Sequence, residues 1–492
     1  MKGILNNSYP AISDVIFFIS MVVMIPSVSY GHTLDNTAGT TYFACDCGPG
    51  ANAACIAGND DATGTSPATP WKTIEKARLA FAGLSAGDTI ALCRGGAFTL
   101  IGHDWENPRC TAENPCTVTD YAPDWETSCT DRAIVTCPAA GTAFSFTDSG
   151  NADHEEGYVI SNLDVRGTDG TGTGFFFFND IDDVILSNLI ISRFDIGVLI
   201  QGSNLPNPGS NARNERITLK NSQILDNASQ GFEGSCDDCV IQNNIFENNG
   251  YRDIAYYHNL YWDGAVESKG GRISGNILSR SSVVGNTCQG VSLIVHGKHQ
   301  SLMIERNVVY EEVGMASQAC WGIAVDTAYE SPEGFPGLVI RGNIIKNMGN
   351  IGIGVNACTD CLIEGNQILQ ENSFTTTAIA VPDRNRGTED TAMNRVTVRN
   401  NFIRLSSPTN RTAIVLGGEG AGHTSSGNVI AYSGGSIDWS CFSYPLPVTS
   451  YTLIDYNFCR FPFTASGKWE AAAGSLADWQ SISGFDLHSV QQ

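Results

Sequence analysis

From about Tyr158 onward the chain repeats one short pattern: an aliphatic residue, two polar or small residues, an asparagine and usually another aliphatic residue. It reads Ile241-Gln-Asn-Asn244-Ile245, Ile273-Ser-Gly-Asn276-Ile277, Ile304-Glu-Arg-Asn307-Val308, Ile340-Arg-Gly-Asn343-Ile344, Ile363-Glu-Gly-Asn366, Val398-Arg-Asn-Asn401-Phe402 and Ile454-Asp-Tyr-Asn457-Phe458. Between the copies lies a second strand with period-two alternation: Gly197 to Ile200, Asn259 to Trp262, Ser292 to Val295, Gly322 to Val325, Gly352 to Val355, Ala378 to Val381 and Ala413 to Leu416. Short strands, no helix-length segment between them and Gly or Asn at the turns predict the coils of a right-handed parallel β-helix, an all-β solenoid. Leucine-rich repeats and propellers lack support, because neither the Leu consensus nor four strands per unit is present.

Aligning the second strands predicts two inward columns. One holds Val198, Phe232, Leu260, Leu293, Ile323, Ile353, Ile379 and Ile414; the other holds Ile200, Gly234, Trp262, Val295, Val325, Val355, Val381 and Leu416. The bulk of Trp262 is expected to be offset by Gly234 one coil earlier. The repeated Asn is expected to stack amide on amide at one turn. Solenoid ends need covers. Thr73 to Leu84, of helix-forming composition with one apolar face, is predicted to plug the N-terminal end. Residues from about Ser436, which lose the Asn pattern and hold Trp439, Trp469 and Trp479, are predicted to form an irregular C-terminal cap. The expected layout is a signal peptide over 1–31, cap and first coils over 32–150, coils over 151–435, and last coils with their cap over 436–492.

The signal peptide is read from Lys2, the apolar run Val15 to Ile25 and the small residues Ser27 to Ser29. The run is short for a membrane span, and a retained anchor is the alternative. Sixteen cysteines in an exported chain predict disulfides and a secreted protein, extracellular or periplasmic. Cys236 with Cys239 and Cys358 with Cys361 are expected to form local disulfides, with free or redox cysteines as the alternative, and Cys288 and Cys320 enter adjacent coils at nearly the same point and could bridge. The two CxxC elements lie about four coils, or ~19 Å, apart, which excludes a shared zinc. A net charge of -23 makes the average surface repel nucleic acid and anionic membranes, so neither is expected as a partner. The expected partner is an extended polysaccharide, met by a monomer with no membrane span after signal cleavage.

Three columns are predicted to face outward. Small residues, Gly197, Gly231, Asn259, Ser292, Gly322, Gly352, Ala378 and Ala413, would make a floor on which a polymer lies close. Glu233 and Tyr261 belong to the second column. The third carries Asp263, His296 and Asp326 on successive coils, flanked by Ser235 and Asn356. Solvated polar residues on an open face would explain any one of them; titratable groups on consecutive coils would tune each other. Lys298 and His299 follow His296, and Arg252 and His258 precede the Asp263 strand.

Three chemistries fit. A polysaccharide lyase acting on a uronate would use His296, Lys298 or Tyr261 as base, with cationic groups or a bound divalent cation such as calcium to hold enolate charge. An inverting glycoside hydrolase would use Asp263 and Asp326, expected ~10 Å apart. A non-catalytic glycan-binding protein would need only a groove and rings such as Tyr261 and Trp321. The parts favour the lyase, with Asp263 and Asp326 orienting the histidine or a cation. Substrate contacts are expected from Glu233, Arg252, His258, His299, Trp321 and Asn356.

The segment Gly58-Asn-Asp-Asp-Ala-Thr-Gly-Thr-Ser-Pro-Ala-Thr-Pro-Trp-Lys-Thr-Ile74, with Ala86-Gly-Asp-Thr-Ile90, resembles the N-terminal signature of bacterial right-handed β-helix proteins of the pectate-lyase-like superfamily. The stretch Leu476 to Ser489 looks like the C-terminal end of many such chains, and His258-Asn-Leu-Tyr261 is similar to a His-Asn-Ile-Tyr element in some of them. The resemblance implies the fold. For activity it implies only a superfamily of lyases, hydrolases and epimerases. The ordered polygalacturonase motifs and the calcium-binding Asp set of pectate lyases are absent.

Overall fold

The computed structural model describes residues 39–492 apart from 128–130, 148–156, 203–212, 254–255, 265, 329–331, 407–411, 434–438 and 463–466. The expected signal peptide and Cys129 lie outside the described residues. Three parallel sheets of 14, 14 and 12 strands run along the molecule. Each coil visits them in turn, as in Met303–Glu305, Val308–Tyr310 and Trp321–Val325. The stack crosses residues 150 and 435 by direct pairing of Thr142 with Thr173 and Thr412 with Ser440.

The turn between the first and second sheets explains the Asn pattern. Its third residue takes a left-handed backbone, as at Gly275, Arg306, Gly342 and Gly365. That kink aims the following Asn into the interior. Asn244, Asn276, Asn307, Asn343, Asn366, Asn401, Asn428 and Asn457 are all buried. From Asn276 to Asn428 each amide accepts from the preceding coil's backbone and side-chain N–H and donates to a carbonyl and to the next amide. Asn307, for example, donates to the Ile273 carbonyl and to Asn343 Oδ1, both at 3.0 Å. The ladder ends on buried Asp486, which accepts from Asn457 and from the indole N–H groups of Trp469 and Trp479. The C-terminal cover lies at this end of the ladder. It contains the helix Leu476–Ser483, capped by Ser475, and Trp469 and Trp479 converge on one buried carboxyl. At the other end, Ile74–Phe81 forms the plug helix with Thr73 accepting from Lys76 N, and Ile74, Ala77 and Phe81 turn inward.

The third sheet has the register expected of it. Phe232, Leu260, Leu293, Ile323, Ile353, Ile379 and Ile414 stand opposite one another in series, and all are buried. Two details differ. A Cβ on Gly234 would strike the Ile200 carbonyl oxygen at 2.1 Å with φ +117°, so that glycine serves the backbone; the indole of Trp262 is instead accommodated by Gly271, whose Cβ would lie 2.4 Å from it. The expected small-residue floor also faces inward. Cβ atoms on Gly197, Gly322 and Gly352 would meet Ile224, Ile345 and Ile368 of the second sheet, and Asn259 joins a second amide ladder below Asn249. These residues are small because two sheets meet at a tight corner, not because a polymer approaches.

Among the described residues seven disulfides are formed, including Cys236–Cys239, Cys358–Cys361 and Cys288–Cys320. No helix of the described residues is long and apolar enough to cross a membrane.

Candidate active site

The outer face of the third sheet gathers most of the candidate side chains, through two neighbouring clusters. The first is open. Glu233 follows Phe232 on an outward position, in register with Tyr261, and Asp263 stands two residues further on the next coil. Glu233 and Asp263 line a cleft of about 230 Å³ together with Gln201, Ser235, Asp237 and Glu267. Glu233 is half-buried, and its carboxyl is pushed up to about 7, first by burial and then by the negative charges of Asp263 and Asp195. Arg213, also in the cleft wall, is paired with Asp237 at 3.2 Å.

The second cluster is closed. Asp326 has no exposed surface. It meets Arg384 Nη2 at 2.5 Å and His296 Nδ1 at 3.2 Å. Arg384 reaches back from beyond the Thr377–Val381 strand, two coils further on, and its guanidinium carbon lies 5.7 Å from the centroid of Trp321. Asp383 folds over Gly354, where any Cβ would come within 2.8 Å of its carboxylate. Both Asp326 and Asp383 are raised by burial, and Asp326 is raised further by the facing Asp383. The pair therefore keeps a shared proton that the unfolded chain would release near pH ~4. The native state binds more protons than the unfolded one, so this pair lowers stability as pH climbs from ~4 through its native range, and no further above it. Asp383→Asn should consequently melt progressively higher than the wild type across that window. A pH-independent difference in melting temperature between pH 4 and 9 would refute the shared proton.

His296 is nearly buried. Its Nδ1–H donates to the Asp326 carbonyl at 2.7 Å, which in the neutral ring makes Nε2 the acceptor. The sharp turn after it, Gly297 at φ +106°, is clamped by Glu333, which accepts from Gly297 N and Ala328 N. Tyr261 meets His258 edge-on at 5.6 Å on one side and His296 at 5.8 Å on the other.

Other expected roles change. His299 is buried, with Nε2–H donating to the His296 carbonyl and Nδ1 accepting from Ser268, and burial pushes it down to about 4. Both nitrogens are committed, so it braces the turn and does not touch substrate. His258 is buried too, bonded to the Val291 carbonyl and held neutral with its value near 4. Asn356 donates to the Arg384 carbonyl and accepts from Ala357 N, fixing the Arg384 segment rather than a ligand. Arg252 is spent on Asp195 at 2.6 Å. Lys298 is exposed on the turn leaving the sheet and makes no ion pair among the described residues. As for the divalent cation, the His, Cys, Asp and Glu clusters close enough to hold one among the described residues are built on disulfide cysteines. At Asp326 the positive charge is the chain's own Arg384, so the residues present do not fit a metal.

Asp383, Arg384 and Glu333 were not legible as site residues. The one signal was the long insertion after Pro382, rich in Asp and Arg, on the face where the column runs out; insertions on one face of a solenoid gather at its binding side.

No protein-family model and no curated protein matches the sequence. Solved structures do. The Dettilon tailspike protein aligns over 81% of this chain and 68% of its own, at 13% identity and TM-score 0.51. The lacto-N-biosidase of Eubacterium ramulus aligns over 81% and 67%, at 12% identity and TM-score 0.45. PfbA, a surface adhesin of Streptococcus pneumoniae, aligns over 81% and 87%, at 12% identity and TM-score 0.41. The protein is a right-handed parallel β-helix. At such identities the likeness is one of fold.

Proposed function

We propose that the protein is a secreted glycoside hydrolase acting on an extended glycan laid along the third sheet, with Glu233 as general acid and Asp263 as its partner carboxylate. The observation that carries this reading is the half-buried Glu233 carboxyl, raised to about 7 beside a second carboxyl at the rim of an open cleft. A carboxyl that keeps its proton near neutral pH can protonate a glycosidic oxygen, while the neighbouring carboxylate takes a proton from the attacking water. Their Cα positions are one coil and two residues apart, about 8 Å by strand geometry, a spacing that suits a water between them and hence inversion. Asp326, the partner expected from the sequence, lies under Arg384 without exposure and serves to orient His296 and Arg384.

Elimination from a uronate is the second reading, on the contact of Tyr261 with His296. It is disfavoured by charge: Arg384, Arg213 and Arg252 are each paired with a carboxylate, and the open cleft carries Glu233, Asp237, Asp263 and Glu267. Incubation with neutral and uronate-containing polysaccharides should release reducing ends without ultraviolet absorbance. Unsaturated, absorbing products would instead establish the lyase, and binding without either product would establish a glycan-binding protein. Secretion accords with the seven disulfides.

A further inference from the structure

Upstream of Glu233 the outer face of the same sheet carries two phenylalanines that the core does not need. In the strand Thr173–Phe178, Phe175 and Phe177 point inward, fully buried, stacking on Phe144 and Phe146 at 4.9 and 5.3 Å. Phe176 and Phe178 point outward and are half-exposed, their rings 5.9 Å apart and 23° from parallel. On a one-sided sheet the outward positions are normally polar, as in the preceding strand, where Ser145 and Thr147 occupy the same register. Register also ties the rings to the site. Phe176 stands opposite Leu199, which stands opposite Glu233, and Phe178 stands opposite Gln201 at the edge of the cleft. Phe176 is thus two coils, ~10 Å, from Glu233 along the solenoid axis. That is about two sugar residues of an extended glycan. None of Phe176, Phe178, Leu199 and Gln201 carries a charge.

We infer that Phe176 and Phe178 form a sugar-binding subsite, stacking on the apolar face of a neutral hexopyranose about two residues from the bond cleaved at Glu233. An uncharged aromatic and aliphatic platform offers its π-faces and buried apolar area to the C–H face of a pyranose and nothing to a carboxylate or sulfate. The inference rests on the reading of Glu233 and Asp263 as the cleavage site for the direction of the chain, but the binding it asserts does not need turnover.

The test is affinity electrophoresis of the full chain through gels containing hydroxyethyl cellulose, xyloglucan, galactomannan, laminarin or dextran, with alginate as the charged control. At least one neutral polymer should retard the wild type and Glu233→Gln alike. Phe176→Ala with Phe178→Ala should weaken that retardation about tenfold, as expected for loss of the ring contact area. Phe176→Leu with Phe178→Leu, which keeps apolar bulk, guards against misfolding: it should melt with the wild type and still bind weakly. Retardation unchanged in both double variants, or retardation by alginate alone, would overturn the subsite. Phenylalanine-dependent binding without any hydrolysis would uphold it and sink the hydrolase reading instead.

Discussion

Glu233→Gln lowers glycan hydrolysis by about 10³-fold, within the range that a positioned general acid contributes, while leaving glycan binding and melting temperature unchanged. The amide keeps the shape and hydrogen-bonding capacity of the carboxyl but has no acidic proton to give. Asp263→Asn should produce a loss of similar order for a different reason, and it should also move the pH profile. In the wild type, activity falls as pH rises through the value of Glu233, about 7, because the acid form is the active one. Asp263 contributes to raising that value, so removing its charge moves the alkaline limb to lower pH. Residual activity of Asp263→Asn with an unmoved alkaline limb would separate the two carboxyls and remove Asp263 from the site.

Asn307→Leu destabilises the fold by about 3–5 kcal/mol, although the replacement is apolar and of similar size. Its amide sits fully buried between coils, accepting from the backbone and side chain of Asn276 and donating to Ile273 and Asn343. Leucine leaves those groups without partners, each costing about 1–3 kcal/mol, with partial relief by relaxation. Because coils contact only their neighbours, the damage should concentrate on the coils either side, and hydrogen exchange should show protection lost at Ile273 to Ile277 and Val339 to Ile344 before it is lost at the ends. Denaturant unfolding at the wild-type midpoint would show that the ladder merely lines the turn.

The fold was readable because its determinants are periodic. One Asn per coil and alternating aliphatic residues in the third-sheet strands state both the winding and the register, and Phe232, Leu260, Leu293 and Ile323 stack as their spacing requires. Size patterns were less faithful guides. Smallness at Gly322 and Gly352 marks an internal corner, and the residue that makes room for Trp262 is Gly271, just before the first-sheet strand Arg272–Ser274, and not Gly234. For the site, the sequence ordered residues by column but could not say how deep each would lie. Asp263, His296 and Asp326 occupy equivalent places on successive coils, yet Asp263 lines an open cleft while Asp326 is sealed by Asp383 and Arg384. The seal comes from an insertion outside the repeat, where periodicity carries no information. Likewise, the spacing of the His296-Gly-Lys-His299 run carries no mark of His299 turning inward to Ser268.

Carbon-13 NMR titration of the glutamate side-chain carboxyls, with Glu233 assigned through Glu233→Gln, asks the question most directly and needs no substrate. Glu233 should titrate with a midpoint near 7 that moves down in Asp263→Asn. A midpoint close to the ordinary ~4.3 of glutamate, indifferent to Asp263, would leave the cleft without an acid and contradict the account.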